Sequence, residues 1–277
     1  MRYNNKRKNG NSRMIGILLI IFAMVIVFFI VAVVMVNKNS SSWKTSSSGE
    51  SDSSGALFVA NTDDDDDEDK PNKKDDKDVI WNYPRYADDA LQLTDANIYS
   101  SYAVLLDVQT NEILAYRGAD LRMSPASMTK LMTLLVAVEN ISDFNATYTL
   151  TYEMISPLIE QEAARAGFED QETVSITDLL YGMILPSGAD ATIAIVQYVA
   201  ETEENFVNLM NKKAKELGMD STHFSNATGL YDKDHYSNVT DIALLMKVVM
   251  QNDICRKILS TVEYQTTSTQ QHPGGIL

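Results

Sequence analysis

The sequence predicts a mixed α/β (α+β) domain, a helix-rich block on an antiparallel sheet, preceded by one transmembrane helix. Three observations carry this. Residues 14–36 form an uninterrupted uncharged run rich in Ile, Val, Leu, Phe and Met. Two short apolar runs, 102–107 and 112–116, flank Gln109-Thr110-Asn111 and read as a β-hairpin. Beyond Leu131, apolar segments of helical length dominate the chain.

The apolar run is long enough to cross a hydrocarbon core of roughly 30 Å as a helix. Residues 1–13 before it carry Arg2, Lys6, Arg7, Lys8 and Arg13 and no acidic residue. Positive charge stays on the cytoplasmic side, so residues 1–13 are expected there and everything after Val36 outside. A cleaved signal peptide would have a shorter apolar core and a small-x-small site, which Val34-Met35-Val36 does not offer. An uncleaved single-pass anchor is the reading. Residues 37–79 follow as a linker: 40–54 is Ser-rich, and 63–69 is a run of acidic residues. Low hydrophobicity and high charge leave too little apolar area to offset chain entropy.

Residues 80–277 are sufficient for one domain with a substantial core. After the hairpin, a helix is expected from Ser127 to Glu139, a short strand over 148–152, and another at 174–176. A helix over 177–185, capped by Thr177, ends at Pro186-Ser187-Gly188, and a second apolar helix runs from Ala189 to Ala200. An amphipathic helix over 205–217 closes on Gly218. Residues 223–234 read as loop, a helix capped at Thr240 runs to Met250, and a helix or strand leads from Asp253 to Tyr264. The chain then runs into the polar tract 265–272. A two-stranded hairpin alone is marginal in water, and no convincing strand follows residue 176.

The net charge is −15, and residues 79–277 carry 26 Asp and Glu against 12 Lys and Arg. An acidic surface without a basic stripe excludes nucleic acid as a partner. The single cysteine, Cys255, sits in an apolar context and reads as a core residue. His223, His235 and His272 stand too far apart for a helical metal pair, and there is no Cys/His cluster. Neither a metal nor another cofactor is expected.

The chemistry concentrates at Ser127-Met128-Thr129-Lys130. In a helix beginning after Pro125, Ser127 and Lys130 lie one turn apart on one face. A serine hydroxyl needs a base to become a nucleophile. Lysine can be that base only when its surroundings hold it neutral, since a free lysine titrates near 10.4. Alone, S-x-x-K is as compatible with an N-cap serine and a solvated lysine. The uncharged run from Leu131 to Val138 argues otherwise, because a lysine heading a buried helix is costly unless used or paired. Unpaired amides at the helix start add a potential oxyanion site.

Read together, Pro125-Ala126-Ser127-Met128-Thr129-Lys130 and Leu185-Pro186-Ser187-Gly188-Ala189-Asp190-Ala191 resemble the motifs of penicillin-binding proteins and serine β-lactamases. The likeness is strongest to the D-alanyl-D-alanine carboxypeptidases of low molecular mass. The segments Thr222-His223-Phe224-Ser225-Asn226-Ala227-Thr228-Gly229-Leu230 and His235-Tyr236-Ser237 extend it. The resemblance implies a β-lactamase/transpeptidase-like fold in a bacterial cell-membrane protein, with its domain extracytoplasmic. It implies Ser127 as the acyl-ester nucleophile, Lys130 as its general base and Ser187 as a proton relay. The implied substrate is a peptidoglycan pentapeptide ending in D-Ala-D-Ala, with β-lactams as inhibitors.

Two departures from that pattern stand out. The second motif normally ends in asparagine, and Ala189 stands there instead, so reduced turnover is expected. The third motif, Lys-Thr-Gly on a core strand, does not occur; Lys44-Thr45-Ser46 lies in the linker. The sequence therefore reads as an incomplete member of the family, ending before the C-terminal strands. A β-lactamase of the same fold would want Ser-Asp-Asn at 187–189. A membrane-anchored, non-catalytic module that binds cell-wall peptide is the alternative from another class.

Overall fold

The computed structural model describes residues 82–94 and 98–277. The basic tail, apolar span and linker expected over residues 1–79 lie outside the described residues. Among the described residues, no helix is long and apolar enough to cross a membrane.

Strands β2 (Ala103–Asp107) and β3 (Glu112–Arg117) form the expected antiparallel hairpin. The Asp107 carboxylate accepts from the N–H groups of Gln109 (2.7 Å) and Thr110 (3.1 Å), and Asn111 turns the corner at φ 62°. Asparagine tolerates that left-handed conformation better than most residues. A third strand, β1 (Arg85–Gln92), runs parallel to β3 and gives the order β1-β3-β2. The sheet is therefore mixed, which corrects the antiparallel expectation. The missing partner of the hairpin comes from upstream, in a segment with no apolar alternation. None of β1 is buried, and polar links hold it. Arg85 pairs with Glu112 at 2.8 Å, Tyr86 donates to Asp120, and Tyr83 just ahead of it donates to the buried Asp241 at 2.7 Å.

The helical block surrounds α1 (Thr129–Asn140), which is entered through a 3-10 turn at Ala126–Met128. Around it stand α3 (Ile176–Ile184), α4 (Ala189–Ala200), α5 (Glu203–Leu217), α6 (Val239–Val249) and α7 (Asp253–Leu259), each in contact with α1. Every residue of α1 from Thr129 to Val138 is buried. A helix enclosed on all sides needs no polar face, which is why its sequence runs uncharged after Lys130. The block meets the sheet where α6 packs on β2.

Strands β4 (Thr147–Thr149) and β5 (Thr173–Ser175) pair as a small second sheet. Between them, α2 (Tyr152–Glu160) replaces the strand expected to reach Tyr152. The Thr/Tyr alternation stops at Leu150, and Met154, Ile155 and Leu158 are then buried at helical spacing.

Two predicted N-caps are corrected, each by two residues, and a third N-cap is found. Ser175, not Thr177, caps α3 by accepting from the Asp178 N–H, while the Thr177 hydroxyl donates to the Phe144 carbonyl. Thr202 caps α5 and Asn238, not Thr240, caps α6. In each case the capping side chain has extended backbone, as an N-cap requires. Gly218 ends α5 in the left-handed conformation as expected (φ 76°), and Cys255 is buried. The polar tract after Thr261 is packed onto the domain. Tyr264 stacks on Tyr181, with centroids 3.7 Å apart, and donates to the buried Asp178; Thr269 and His272 bond the buried Glu172.

Leu134 is fully buried in α1, whereas Leu121 is 61% exposed. Leu134→Ala should lower the unfolding free energy by about 2–5 kcal/mol through lost burial and a residual cavity. Leu121→Ala should change it by less than about 0.5 kcal/mol. Urea unfolding midpoints measure both.

Candidate active site

The site is assembled where three loops meet the start of α1. The first is the 3-10 turn itself, which opens on Ala126 at φ 47° and presents Ser127 at the surface. The Met128 N–H is committed to the Pro125 carbonyl (3.1 Å), leaving the Ser127 N–H without a backbone partner among the described residues.

The second loop, residues 226–230, is pressed against that turn. Gly229 has φ 82°, and a Cβ on it would fall 2.0 Å from the Ala126 carbonyl oxygen. Only glycine satisfies both the angle and the approach. Asn226 closes the loop on itself: its Oδ1 accepts from the Gly229 N–H (2.8 Å), and its Nδ2 donates to the Leu230 carbonyl (2.9 Å). Two side chains of α1 then join the loop to the helix. Thr133 donates to the Ala227 carbonyl at 2.7 Å, and Lys130 Nζ donates to the Thr228 carbonyl at 2.6 Å.

The third loop carries Ser187. Its φ of 60° is a conformation that costs an L-residue with a side chain of this kind about 1–2 kcal/mol. Its hydroxyl donates to Ser127 Oγ at 3.0 Å. Ser187 does not cap α4: Gly188 occupies its N-cap position. The serine hydroxyls, 60 positions apart in sequence, thus meet side by side.

Lys130 is only 5% exposed. Burial pulls its ammonium pKa down to about 8, against the opposing pull of the Asp190 carboxylate. A substantial fraction of the amine is therefore neutral near physiological pH. No direct hydrogen bond joins Lys130 to either serine among the described residues; its bonded partner is the Thr228 carbonyl. All three side chains line one small cleft, with Ala163, Ala164, Ala189, Thr228, Gly229 and Leu230 as the remaining walls. Ala189, where a longer amide was expected, is buried and offers the cleft only a methyl group. No cluster of His, Cys, Asp or Glu suited to a metal ion occurs among the described residues.

The arrangement provides an exposed hydroxyl, a second hydroxyl in hydrogen-bond contact with it, and a buried amine with a depressed pKa in the same cleft. That set can support acyl transfer through a serine ester. Sequence reasoning found Ser127, Lys130 and Ser187, and the fold brings all three together. It did not find Asp190 or the part played by His235. Asp190 differs from an ordinary helix-start acid only in its contacts. His235 is buried, and its Nδ1 accepts from the Ser225 N–H at 3.0 Å. The ring proton is therefore on Nε2, which donates to Thr129 Oγ1 at 2.7 Å. His235 thus ties the first residue of α1 to the strip of chain leading into the 226–230 loop.

Comparison with known proteins gives a consistent result. The family described as D-alanyl-D-alanine carboxypeptidase, Peptidase S11, matches residues 89–273. Among curated relatives, D-alanyl-D-alanine carboxypeptidase DacF of Bacillus subtilis is 33% identical over 161 residues, covering 58% of this chain and 41% of that protein. DacC of Escherichia coli is 34% identical over 155 residues, covering 54% and 39%. Among solved structures, the Streptomyces K15 DD-transpeptidase superposes with a TM-score of 0.61 at 27% identity, covering 66% of this chain and 72% of that one. The chain spans about two fifths of the length of the curated relatives named here.

Burial drives the His235 pKa down to about 4 from an ordinary value of 6.5. In the unfolded chain the ring binds a proton as pH falls through 6.5, while the folded state resists until about 4. The stability contributed by the neutral ring is thus complete above pH 6.5 and lost between there and 4, on the order of 3 kcal/mol. Denaturation midpoints across pH 7 to 4 should fall more steeply in wild type than in His235→Gln, which has no titrating ring. Equal slopes would remove His235 from this account.

Proposed function

Since the chain belongs to the D-alanyl-D-alanine carboxypeptidase family, the low-molecular-mass penicillin-binding proteins, we propose that it is a serine DD-peptidase acting on peptidoglycan stem peptides. The observation that carries this reading is the contact of Ser187 Oγ with Ser127 Oγ beside a buried lysine whose pKa lies near 8.

The reaction follows from those groups. Neutral Lys130 accepts the Ser127 proton as Ser127 Oγ attacks the carbonyl of the penultimate D-alanine. The Ser127 N–H, free of a backbone partner among the described residues, is a donor for the oxyanion that forms. The C–N bond to the terminal D-alanine breaks, and its nitrogen takes up a proton by way of Ser187. Water then attacks the ester, a proton returns to Ser127 Oγ, and the shortened peptide leaves. A β-lactam carbonyl would enter the same first step and stop as the ester. Transfer of the acyl group to an amine instead of water would make the same ester a cross-linking intermediate, as the name of the K15 relative describes for that protein.

Two features bear on efficiency. Ala189 gives neither Lys130 nor the substrate backbone an amide, and a missing bond of that kind costs about 1 kcal/mol or more. The Lys130 amine donates to the Thr228 carbonyl rather than to a serine, so it must reorient to accept a proton. These features favour slow turnover, and at the limit a non-catalytic module that binds cell-wall peptide. The reading also includes tethering by residues 14–36, supported by their uncharged apolar length and basic flank.

Incubation with a fluorescent penicillin should label the wild-type protein covalently, with the adduct on Ser127 by peptide mass analysis. Ser127→Ala should abolish labelling; a pure binding module would be indifferent to that change.

The labelling rate should rise with pH around a midpoint of about 8, the Lys130 value. Lys130→Arg, which stays charged, should be slower by at least about 100-fold across the range. A rate independent of pH between 6 and 9 would rule out Lys130 as the base.

A further inference from the structure

We propose that Asp190 is a positioning residue of this site: its buried carboxylate fixes the segment 163–168, whose Ala163 and Ala164 wall the cleft, against the start of α4, and so sets the surroundings of Lys130. This inference rests on the serine-peptidase reading above.

The wall loop is anchored at its ends, by the Ala163 N–H on the Leu158 carbonyl and by the buried Phe168 ring, and between them Asp190 gathers its amides. Residues 161–172 form a loop with Glu162, Gly167 and Gln171 at positive φ, and its Gln-Glu-Ala-Ala-Arg-Ala-Gly start brings no large apolar side chain. Asp190 replaces regular structure there. Its Oδ1 accepts from the Ala166 N–H (2.7 Å) and the Ala191 N–H (2.9 Å). Its Oδ2 accepts from Gly167 (2.9 Å) and Phe168 (3.1 Å). Three consecutive amides therefore turn inward onto one carboxylate that is 1% exposed. The neighbouring residue completes the attachment, since the Ala189 N–H donates to the Ala164 carbonyl at 2.8 Å.

Two glycines make room for this contact. A Cβ at Gly188 would lie 2.7 Å from the Ala166 nitrogen and 2.8 Å from Asp190 Oδ1. One at Gly182 would lie 2.8 Å from the Phe168 ring. The backbone of Ser187-Gly188-Ala189 and the wall are thus in direct contact, and displacing one moves the other. Ser187, held at φ 60°, is one residue from that junction.

Charge is the second consequence. Glu162, Arg165, Glu169, Asp170 and Glu172 on the wall loop, Asp178 on α3, Glu203 and Glu204 at the start of α5, and Asp232 and Lys233 beyond Leu230 are among the other ionisable groups on the elements around Lys130. Burial and Asp190 are what move the amine. Removing the Asp190 charge leaves the Thr228 carbonyl to favour the ammonium without a carboxylate behind it, so the amine should become neutral at a lower pH.

Asp190→Asn preserves size but turns an NH2 toward amides that need an acceptor. Hydrogen exchange at residues 166–168 should accelerate by at least about tenfold, and the plateau rate of penicillin acylation should fall by a similar factor. The acid limb of the acylation profile should move to lower pH, by roughly one unit. A purely structural anchor would lower the plateau and leave the limb in place, so an unmoved limb overturns the proposal. Should the variant not fold, exchange in the wild-type protein decides: protected amides at 166–168 support it, and free exchange there overturns it. Wild-type protein that penicillin does not acylate would instead sink the peptidase reading, and the positioning role with it.

Discussion

An amine enclosed in protein must find an acceptor or give up its proton, and much of the site is built around how Lys130 meets that demand. Its head lies at the start of a helix that is buried along its first ten residues. Desolvation of that kind disfavours the ammonium by an amount that a single hydrogen bond does not repay. The surroundings supply the Thr228 carbonyl at 2.6 Å and, beyond it, one carboxylate. This is enough to keep the amine in place and too little to hold it fully charged. The same balance that leaves the amine partly neutral ties it to the 226–230 loop, because that loop owns the carbonyl.

That dependence explains why so much polar structure converges on a five-residue loop. Asn226 closes it internally, Glu203 accepts from the Ala227 N–H, Thr133 donates to the Ala227 carbonyl, and Gly229 lies on the turn that bears Ser127. His235 connects its approach to Thr129. A change in any of these would reach the serine through the Lys130–Thr228 bond and the Gly229–Ala126 contact, without touching substrate.

Parts of this were legible in the sequence and parts were not, for definite reasons. The hairpin, α1, α4, the Gly218 cap and the Ser127–Lys130 spacing could be read because each is written in local pattern, and Ser187 because it falls in a motif that resembles a known family's. Strand β1 could not, because its stability comes from side-chain bonds to residues far along the chain, such as Tyr83 to Asp241, and not from an apolar face. Helix α2 was obscured by a β-like Thr/Tyr alternation directly before it and by Pro157 inside it. The caps slipped because Ser175 and Asn238 stand among other capping-competent residues, and backbone angle alone chooses between them. Asp190 was invisible as a functional residue, since its importance lies in which amides point at it.

The two residues that set the serine hydroxyls, Ala126 and Ser187, both have positive φ, and neither is glycine. Such angles cost about 1–3 kcal/mol each and persist only where neighbouring structure leaves the chain no alternative. For Ala126 the constraint is the Gly229 backbone pressed against its carbonyl. For Ser187 it is the junction of Gly188 and Ala189 with the Asp190-bound wall. The 3.0 Å contact between the hydroxyls is therefore not what holds the turns in position. An exposed hydrogen bond of that kind is worth about 1 kcal/mol, less than the strain it would have to offset. The loops impose the contact, so it can be broken and remade during a reaction while the scaffold stays fixed.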